Sequence, residues 1–411
     1  MPSAEKLQKL ATLAIKCGIG LMSDQDLVIG ANLPDYEFVR MVVDEAYRQG
    51  ARSVSVLYTD DQTARSKFLY GSETAIDYAP SWLQEGLAPA LQNGMAYLRL
   101  GGSDPSLLKD IDPGKVARSS KAAAVVGKPI SEAIVGGATN WCIVPCVSPR
   151  WAKHVYPDLA EAEAVEKLWD VVFATTRADQ PDPVAAWKQH VEQVKRNMDR
   201  LNSYGFQALR FQGPGTDLTV GLADGHVWCG VESFARNGAV CSPNIPTEEV
   251  FTMPHRNRVE GHVRSTKPLS LRGQVLDGIQ VTFKDGAVTS VCAEQGEDVI
   301  KKLIETDEGA RRLGEVALVP HSSPVSQTGL LFFDTLFDEN AASHIALGRA
   351  YADTMCDYFE IPVDERSQRG ANDSLIHVDW MIGSDEVDVD GIGPDNQAVP
   401  VMRKGEWAWS A

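Results

Sequence analysis

The chain has 411 residues, 44% of them apolar and 23% charged, with a formal charge of −17. This length exceeds what one hydrophobic core usually serves, so two domains are expected, and the composition is that of an ordinary globular protein. The acidic balance argues against nucleic acid and anionic membrane as partners, and no apolar run approaches the roughly 20 residues that span a bilayer.

The opening Met1-Pro-Ser-Ala-Glu-Lys-Leu predicts an amphipathic helix without the apolar stretch of a signal peptide, which points to the cytoplasm. Asp26-Leu-Val-Ile-Gly30 then reads as a buried strand. Residues 35–49 read as a helix with Phe38, Val39, Val42, Val43 and Ala46 inward and Gly50 as C-cap, and Ser53-Val-Ser-Val-Leu57 as the next strand. Strand, helix and strand at this spacing make a βαβ unit, so a largely parallel sheet is expected. Ala96–Leu100 and Ala122–Val126 are read as further strands. The glycine-rich turn of a dinucleotide site is missing: Gly18-Ile-Gly20 precedes the first strand, and Gly101-Gly102 leads to no third glycine.

Cys142 and Cys146 lie in the apolar run Trp141-Cys-Ile-Val-Pro-Cys146 and are expected as buried thiols. Seven cysteines without a CxxC pair fit reduced thiols better than a disulfide framework. Residues 151–204 are predicted helical. In the last helix Asp182 caps, Pro183 starts, and Val184, Trp187, Val191, Val194, Met198 and Leu201 form an apolar stripe before Gly205 stops it. This connector closes an N-terminal α/β domain at 1–205.

Residues 206–411 read as a strand-rich α+β domain. Ala208–Gln212, Leu218–Leu222, His226–Val231, Val275–Phe283 and Val288–Ala293 are predicted strands, with a turn at Lys284-Asp-Gly286 and a helix over 295–304. Two stretches here, Glu249-Val-Phe-Thr-Met-Pro254 and Glu315-Val-Ala-Leu-Val-Pro320, share the pattern Glu-Val-x-x-x-Pro, a carboxylate opening a short strand that proline ends. Farther on, Asn340 is expected to cap an alanine-rich helix with His344 and Tyr351 on one face, leaving Glu339 just outside it. His377-Val-Asp379-Trp-Met381 is expected as a strand with His377, Asp379 and Met381 on one side and Val378 and Trp380 on the core side.

Imidazole and carboxylate together are the donor mix of Zn²⁺, Co²⁺ and related ions. Clustered alone, Glu249, Glu315, Glu339 and Asp379 would repel strongly. Two divalent cations would neutralise their four charges, and two neutral histidines complete a plausible dinuclear site. His255 and His262 are set aside as loop or substrate-contact residues because arginines surround them, His321 as lying at the far end of the Glu315 strand, and Asp217 as a turn residue. No His-Glu-x-x-His is present, so the single-zinc helical template does not apply.

These residues carry a resemblance. Ile245-Pro-Thr-Glu-Glu249-Val-Phe-Thr, Leu313-Gly-Glu315-Val-Ala, Phe337-Asp-Glu339-Asn-Ala-Ala-Ser-His344-Ile-Ala-Leu-Gly and His377-Val-Asp379 match the aminopeptidase T group of the M29 family, dinuclear metallo-aminopeptidases. Thr139-Asn-Trp141-Cys-Ile, Pro149-Arg-Trp-Ala152 and Gly215-Thr-Asp217-Leu-Thr-Val-Gly-Leu222 extend the match over most of the chain. The resemblance implies that Glu249, Glu315, Glu339, His344, His377 and Asp379 ligate metal, with Glu315 bridging two ions and Tyr351 beside them. It further implies a cytoplasmic homodimer, acting on peptides, whose N-terminal domains help enclose the cavity.

In such a site two ions about 3.5–4 Å apart hold a water, lower its pKa and polarise the scissile carbonyl. The substrate's free α-amine can bind one ion, and Tyr351 can donate to the oxyanion. The expected function is therefore a metal-dependent aminopeptidase that uses two divalent ions (Zn, Co, Mn or Mg). The alternatives are a dinuclear amidase or esterase on non-peptide substrates, and a non-catalytic binding protein.

Overall fold

The structure is a computed structural model and describes residues 2–102, 104–271 and 274–409. Two compact units emerge, one running to Val191 with Val231–Thr247 added, the other made of Glu192–Gly230, Glu248–Leu271 and the chain from Val275 onward.

The first unit is built on a four-stranded parallel sheet in the order Ser53–Thr59, Asp26–Asn32, Ala96–Gly101, Trp141–Pro145. The expected βαβ unit is present. Its helix runs Tyr36–Gln49, buries Phe38, Val39, Val42 and Ala46, and ends at Gly50, whose φ of 100° is the left-handed cap that a side chain would strain. The central Asp26–Asn32 strand is buried along almost its whole length, as parallel strands covered on both faces must be.

One expectation fails here. Ala122–Val126 is not a strand but the middle of a helix, Pro113–Val135. Asp112 caps that helix by accepting the Lys115 amide at 2.9 Å, and Pro113 sits in the first turn. A three-alanine run within a capped segment of 23 residues follows helix propensity rather than the short apolar pattern. The fourth strand is Trp141–Pro145, whose Cys142 is buried, as is Cys146 just beyond it.

The predicted helices over 151–204 are present as Pro149–Val155, Glu161–Thr175 and Pro183–Tyr204, the last capped by Asp182 through the Ala185 amide at 3.0 Å. Among the described residues no helix is long and apolar enough to cross a membrane.

The second unit contains an eight-stranded antiparallel sheet in the order Ala287–Cys292, Gln280–Lys284, Pro254–Arg264, Thr216–Leu222, Ala208–Gly213, Asp388–Ile392, Ala398–Arg403, Glu406–Trp407. The Asp285-Gly286 turn joins its first two strands with both residues at positive φ, the geometry that suits a tight hairpin. Two predicted strands are corrected. Val275–Phe283 breaks at Asp277-Gly278, where Gly278 has φ 60° and Asp277 Oδ1 accepts the Gly278 amide. His226–Val231 forms only single bridges, because the amides of His226, Val227 and Cys229 bond to Ala223, Thr354 and Phe251, which belong to three different segments.

A second, four-stranded antiparallel sheet in this unit has the order His377–Met381, His344–Gly348, Leu313–Leu318, Val250–Thr252. Every sequence-predicted site residue except Glu339 and Tyr351 lies on it or at its edge.

Candidate metal centre

The register of this small sheet decides which side chains meet. Residues directly opposite one another in neighbouring strands project to the same face. Asp379 pairs with Ala346, and Ala346 with Glu315; His377 pairs with Gly348; His344 pairs with Ala317, and Ala317 with Phe251. Glu249 precedes its strand by one position, two residues from Phe251, and so shares that face. The middle of the face is Ala317, Ala346 and Gly348, residues too small to fill the space between the longer polar side chains. On the opposite face Val250, Val316, Leu318, Ile345, Leu347, Val378 and Trp380 are buried apolar core. One face therefore anchors the sheet while the other holds acids and imidazoles.

The helical reading of residues 340–348 is overturned. His344–Gly348 is a strand, entirely buried, and Asn340 lies in a short 3-10 turn, Glu339–Ala341, that follows the Thr335–Asp338 helix. Alanine content favoured a helix, but a segment sandwiched between two strands gains more from ladder hydrogen bonds and two-sided burial than from local propensity. His344 and Tyr351 consequently share no helix face. Tyr351 follows the strand by three residues and still reaches the site, its ring 4.6 Å from that of His377 and 6.4 Å from that of Phe251.

His344 Nε2 lies 3.0 Å from Glu249 Oε2 and 3.4 Å from Glu315 Oε1. His377 Nε2 lies 3.6 Å from Glu315 Oε2 and 3.3 Å from Asp379 Oδ1. Two groups with metal-ligating spacing result, Glu249–Glu315–His344 and Glu315–His377–Asp379. Glu315 belongs to both, one carboxylate oxygen to each. Glu339, buried at the start of its 3-10 turn, adjoins the cluster, and its carboxylate feels the charges of Asp379, Glu249, His344 and Glu315. Glu249, Glu315, Glu339, His344 and Asp379 are buried; His377 and Tyr351 keep part of their surface exposed.

Each histidine turns its other nitrogen outward. Nδ1 of His344 donates to the Ala342 carbonyl at 3.1 Å and Nδ1 of His377 to the Arg349 carbonyl at 2.6 Å, which leaves each Nε2 lone pair for the cluster. Glu249 Oε2, His344 Nε2 and Asp379 Oδ1 are buried polar atoms without a hydrogen-bond partner among the described residues. The 3.0 Å approach of His344 to Glu249 is thus close but not aligned as a hydrogen bond. Buried lone pairs converging on one another are costly unless a cation sits among them.

The proton affinities report the same imbalance. Burial pushes the Glu315 carboxyl up to about 7; the His344 contact opposes this while Asp379 and Glu249 add to it. Burial also raises Glu339 well above the usual carboxylate range, helped by Asp379 and Glu249. Burial works against charge on His344, yet Glu249 and Glu315 overcome it and hold its proton affinity well above the ordinary imidazole value. His377 is likewise raised against burial, to about 9, chiefly by Asp379. Asp379 stays below the usual range despite its burial because His377 faces it. The donor set, the orphaned buried lone pairs and the outward-tethered Nδ1 atoms all fit divalent cations.

The residues set aside in the sequence reading lie elsewhere. His255 is on the long Pro254–Arg264 strand, not in a loop, with Nδ1 accepting the Asn257 amide at 3.1 Å. Asp217 pairs with Arg210 on the neighbouring strand at 3.1 Å. Phe251 was missed as a site residue, although alternation from Glu249 would have found it. The carbonyls of Ala342 and Arg349 leave no signal in the sequence, since any residue offers a carbonyl.

Comparison with known proteins agrees over the full length. A family profile described as thermophilic metalloprotease (M29) matches residues 3–407. The chain is 51% identical to aminopeptidase T of Thermus aquaticus over 403 residues, 98% of each chain, and 43% identical to aminopeptidase 2 of Geobacillus stearothermophilus, again over 98% of each. A solved structure of wild-type AmpT from Thermus thermophilus superposes with a TM-score of 0.91 at 48% identity, covering 98% of this chain and 99% of that one. With its acid-and-imidazole face and this end-to-end similarity, the chain belongs to the M29 family of metallopeptidases.

Proposed function

We propose that this chain is a metal-dependent aminopeptidase that hydrolyses the N-terminal bond of peptides at a centre of two divalent cations, held by Glu249, Glu315, Glu339, His344, His377 and Asp379. That it is a metalloexopeptidase rests on the family and on relatives named aminopeptidases. The two-cation reading is carried by one observation, the Glu315 carboxylate, whose Oε1 approaches His344 and whose Oε2 approaches His377. A carboxylate that offers one oxygen to each of two ligand groups is suited to bridge.

Bound there, such cations would supply Lewis acidity to the scissile carbonyl and draw a nucleophile from water near neutral pH. The chain's own residues do the rest. The carbonyls of Ala342 and Arg349 fix the tautomer and orientation of the two histidines. Burial and the surrounding acids push the Tyr351 hydroxyl well above its ordinary value, so it keeps its proton and can donate to a developing oxyanion. The apolar back of the sheet keeps the acids in place.

The test is E315Q together with H377A, assayed on amino-acyl anilides and by metal analysis. Loss of turnover with lowered metal content supports the reading, and retained turnover rejects it. Substrates with free and blocked amino termini separate an aminopeptidase from an amidase or esterase: equal rates on both would favour the latter. The same reading places the protein in the cytoplasm as a homodimer with a catalytic domain at 206–411, and sedimentation of the purified chain checks the dimer.

A further inference from the structure

Among the buried polar groups that the chemistry leaves unused, Asn340 joins two parts of the centre that are far apart in sequence. It is fully buried. It directly follows Glu339, and its Oδ1 accepts the backbone N–H of Glu248, the residue before Glu249, at 2.6 Å. Its Nδ2 donates to the Leu336 carbonyl at 2.8 Å, and its own carbonyl accepts from Ser323 Oγ at 2.9 Å. The side chain is held from both ends, and one of the groups it holds is the backbone that aims Glu249.

We propose that Asn340 is a positioning residue that holds the backbone aiming Glu249, so that the cation bound by Glu249, Glu315 and His344 depends on it more than the cation bound by Glu315, His377 and Asp379 does. The inference rests on the two-cation reading above. Two carboxylates of like charge repel at close range, and a segment free to relax would let them part. A buried hydrogen bond of 2.6 Å between residues 92 positions apart in sequence sets that spacing before any cation arrives. His377 and Asp379 of the second ligand group hang from the adjoining His377–Met381 strand, which is paired residue by residue with His344–Gly348.

The experiment titrates Co²⁺ into the chelator-stripped full-length chain, followed by its visible spectrum and by calorimetry, for the native sequence and for N340A. The native chain is expected to take up two ions; N340A keeps one at unchanged affinity and binds the other about 10- to 100-fold more weakly, the usual size of an outer-ligand effect. Equal weakening of both ions in N340A, or no weakening, overturns the clamp. Fewer than two ions in the native chain defeats the two-cation reading instead. If N340A does not fold, amide exchange of the stripped native chain decides: a Glu248 amide protected like its sheet neighbours supports the clamp, and one exchanging as fast as a loop refutes it.

Discussion

Among the described residues, two four-stranded sheets make opposite use of their faces. The parallel sheet of the first unit gives its central strand, Asp26–Asn32, to burial along nearly its whole length. The antiparallel sheet of the second unit divides its side chains, with Val316, Leu318, Ile345, Leu347 and Trp380 as core on one face and Glu315, His344, His377 and Asp379 on the other. Both bury ionisable groups, but differently. Asp35, just past the central parallel strand, is a buried carboxylate that Cys146 and Asn32 partly satisfy, and its Oδ2 has no hydrogen-bond partner among the described residues. The site sheet concentrates its acids and matches them with imidazoles. A buried carboxylate with no facing imidazole is a cost to stability, whereas a cluster of acids and imidazoles is a demand for a cation.

Substitutions should therefore damage function at one sheet and stability at the other. The largest effect is expected from E315Q: a fall in hydrolysis of about 10³-fold or more, since one carboxylate serves both ligand groups, with little change in the melting temperature of the metal-free chain. A melting temperature that falls as far as activity does would erase the contrast. Y351F should lower kcat by about 10²-fold, the size of losing one oxyanion donor, with metal content unchanged; kinetics alongside metal analysis checks this. In the parallel sheet, L98A removes a fully buried side chain and should cost about 2–5 kcal/mol in denaturant unfolding, while the turnover of each folded molecule stays near native.

The smallest effect expected is the pH dependence conferred by Asp35. Burial lifts its carboxyl from 3.8 to about 6. A native-state value above the unfolded one means that this group's contribution to stability is fully present below about pH 4 and is lost as pH rises through about 6. The loss is at most about 3 kcal/mol. D35N should flatten that slope in unfolding experiments between those pH values, and an unchanged slope would mean that the group is solvated in the native state.

The parallel sheet was largely legible in the chain because its strands are apolar runs punctuated by glycine caps. Ala122–Val126 misled because a short apolar stretch looks alike in a strand and a buried helix, and the distant cap at Asp112 settled it. At the site, the strand 377–381 could be read from alternation, since its core face is apolar and its other face is not. The segment 340–348 could not. Alanines and a capping-type asparagine carry a local preference for helix, and the cross-strand partners that outweigh it, Ala317 and Met381, lie far off in sequence. The helical argument sets Tyr351 beside His344, whereas the structure sets it against His377 from a loop.

Residue chemistry alone determined that this chain is a globular protein rich in acids, with carboxylates and imidazoles in a pattern that divalent cations would answer, because side-chain types and their spacing fix charge and donor character without reference to fold. Which oxygen of Glu315 meets which histidine, which carbonyls hold those rings, and how Asn340 ties Glu248 to the Glu339 turn were decided only in three dimensions. Strand register and backbone hydrogen bonds link residues tens of positions apart, and a linear pattern does not encode distances of that kind.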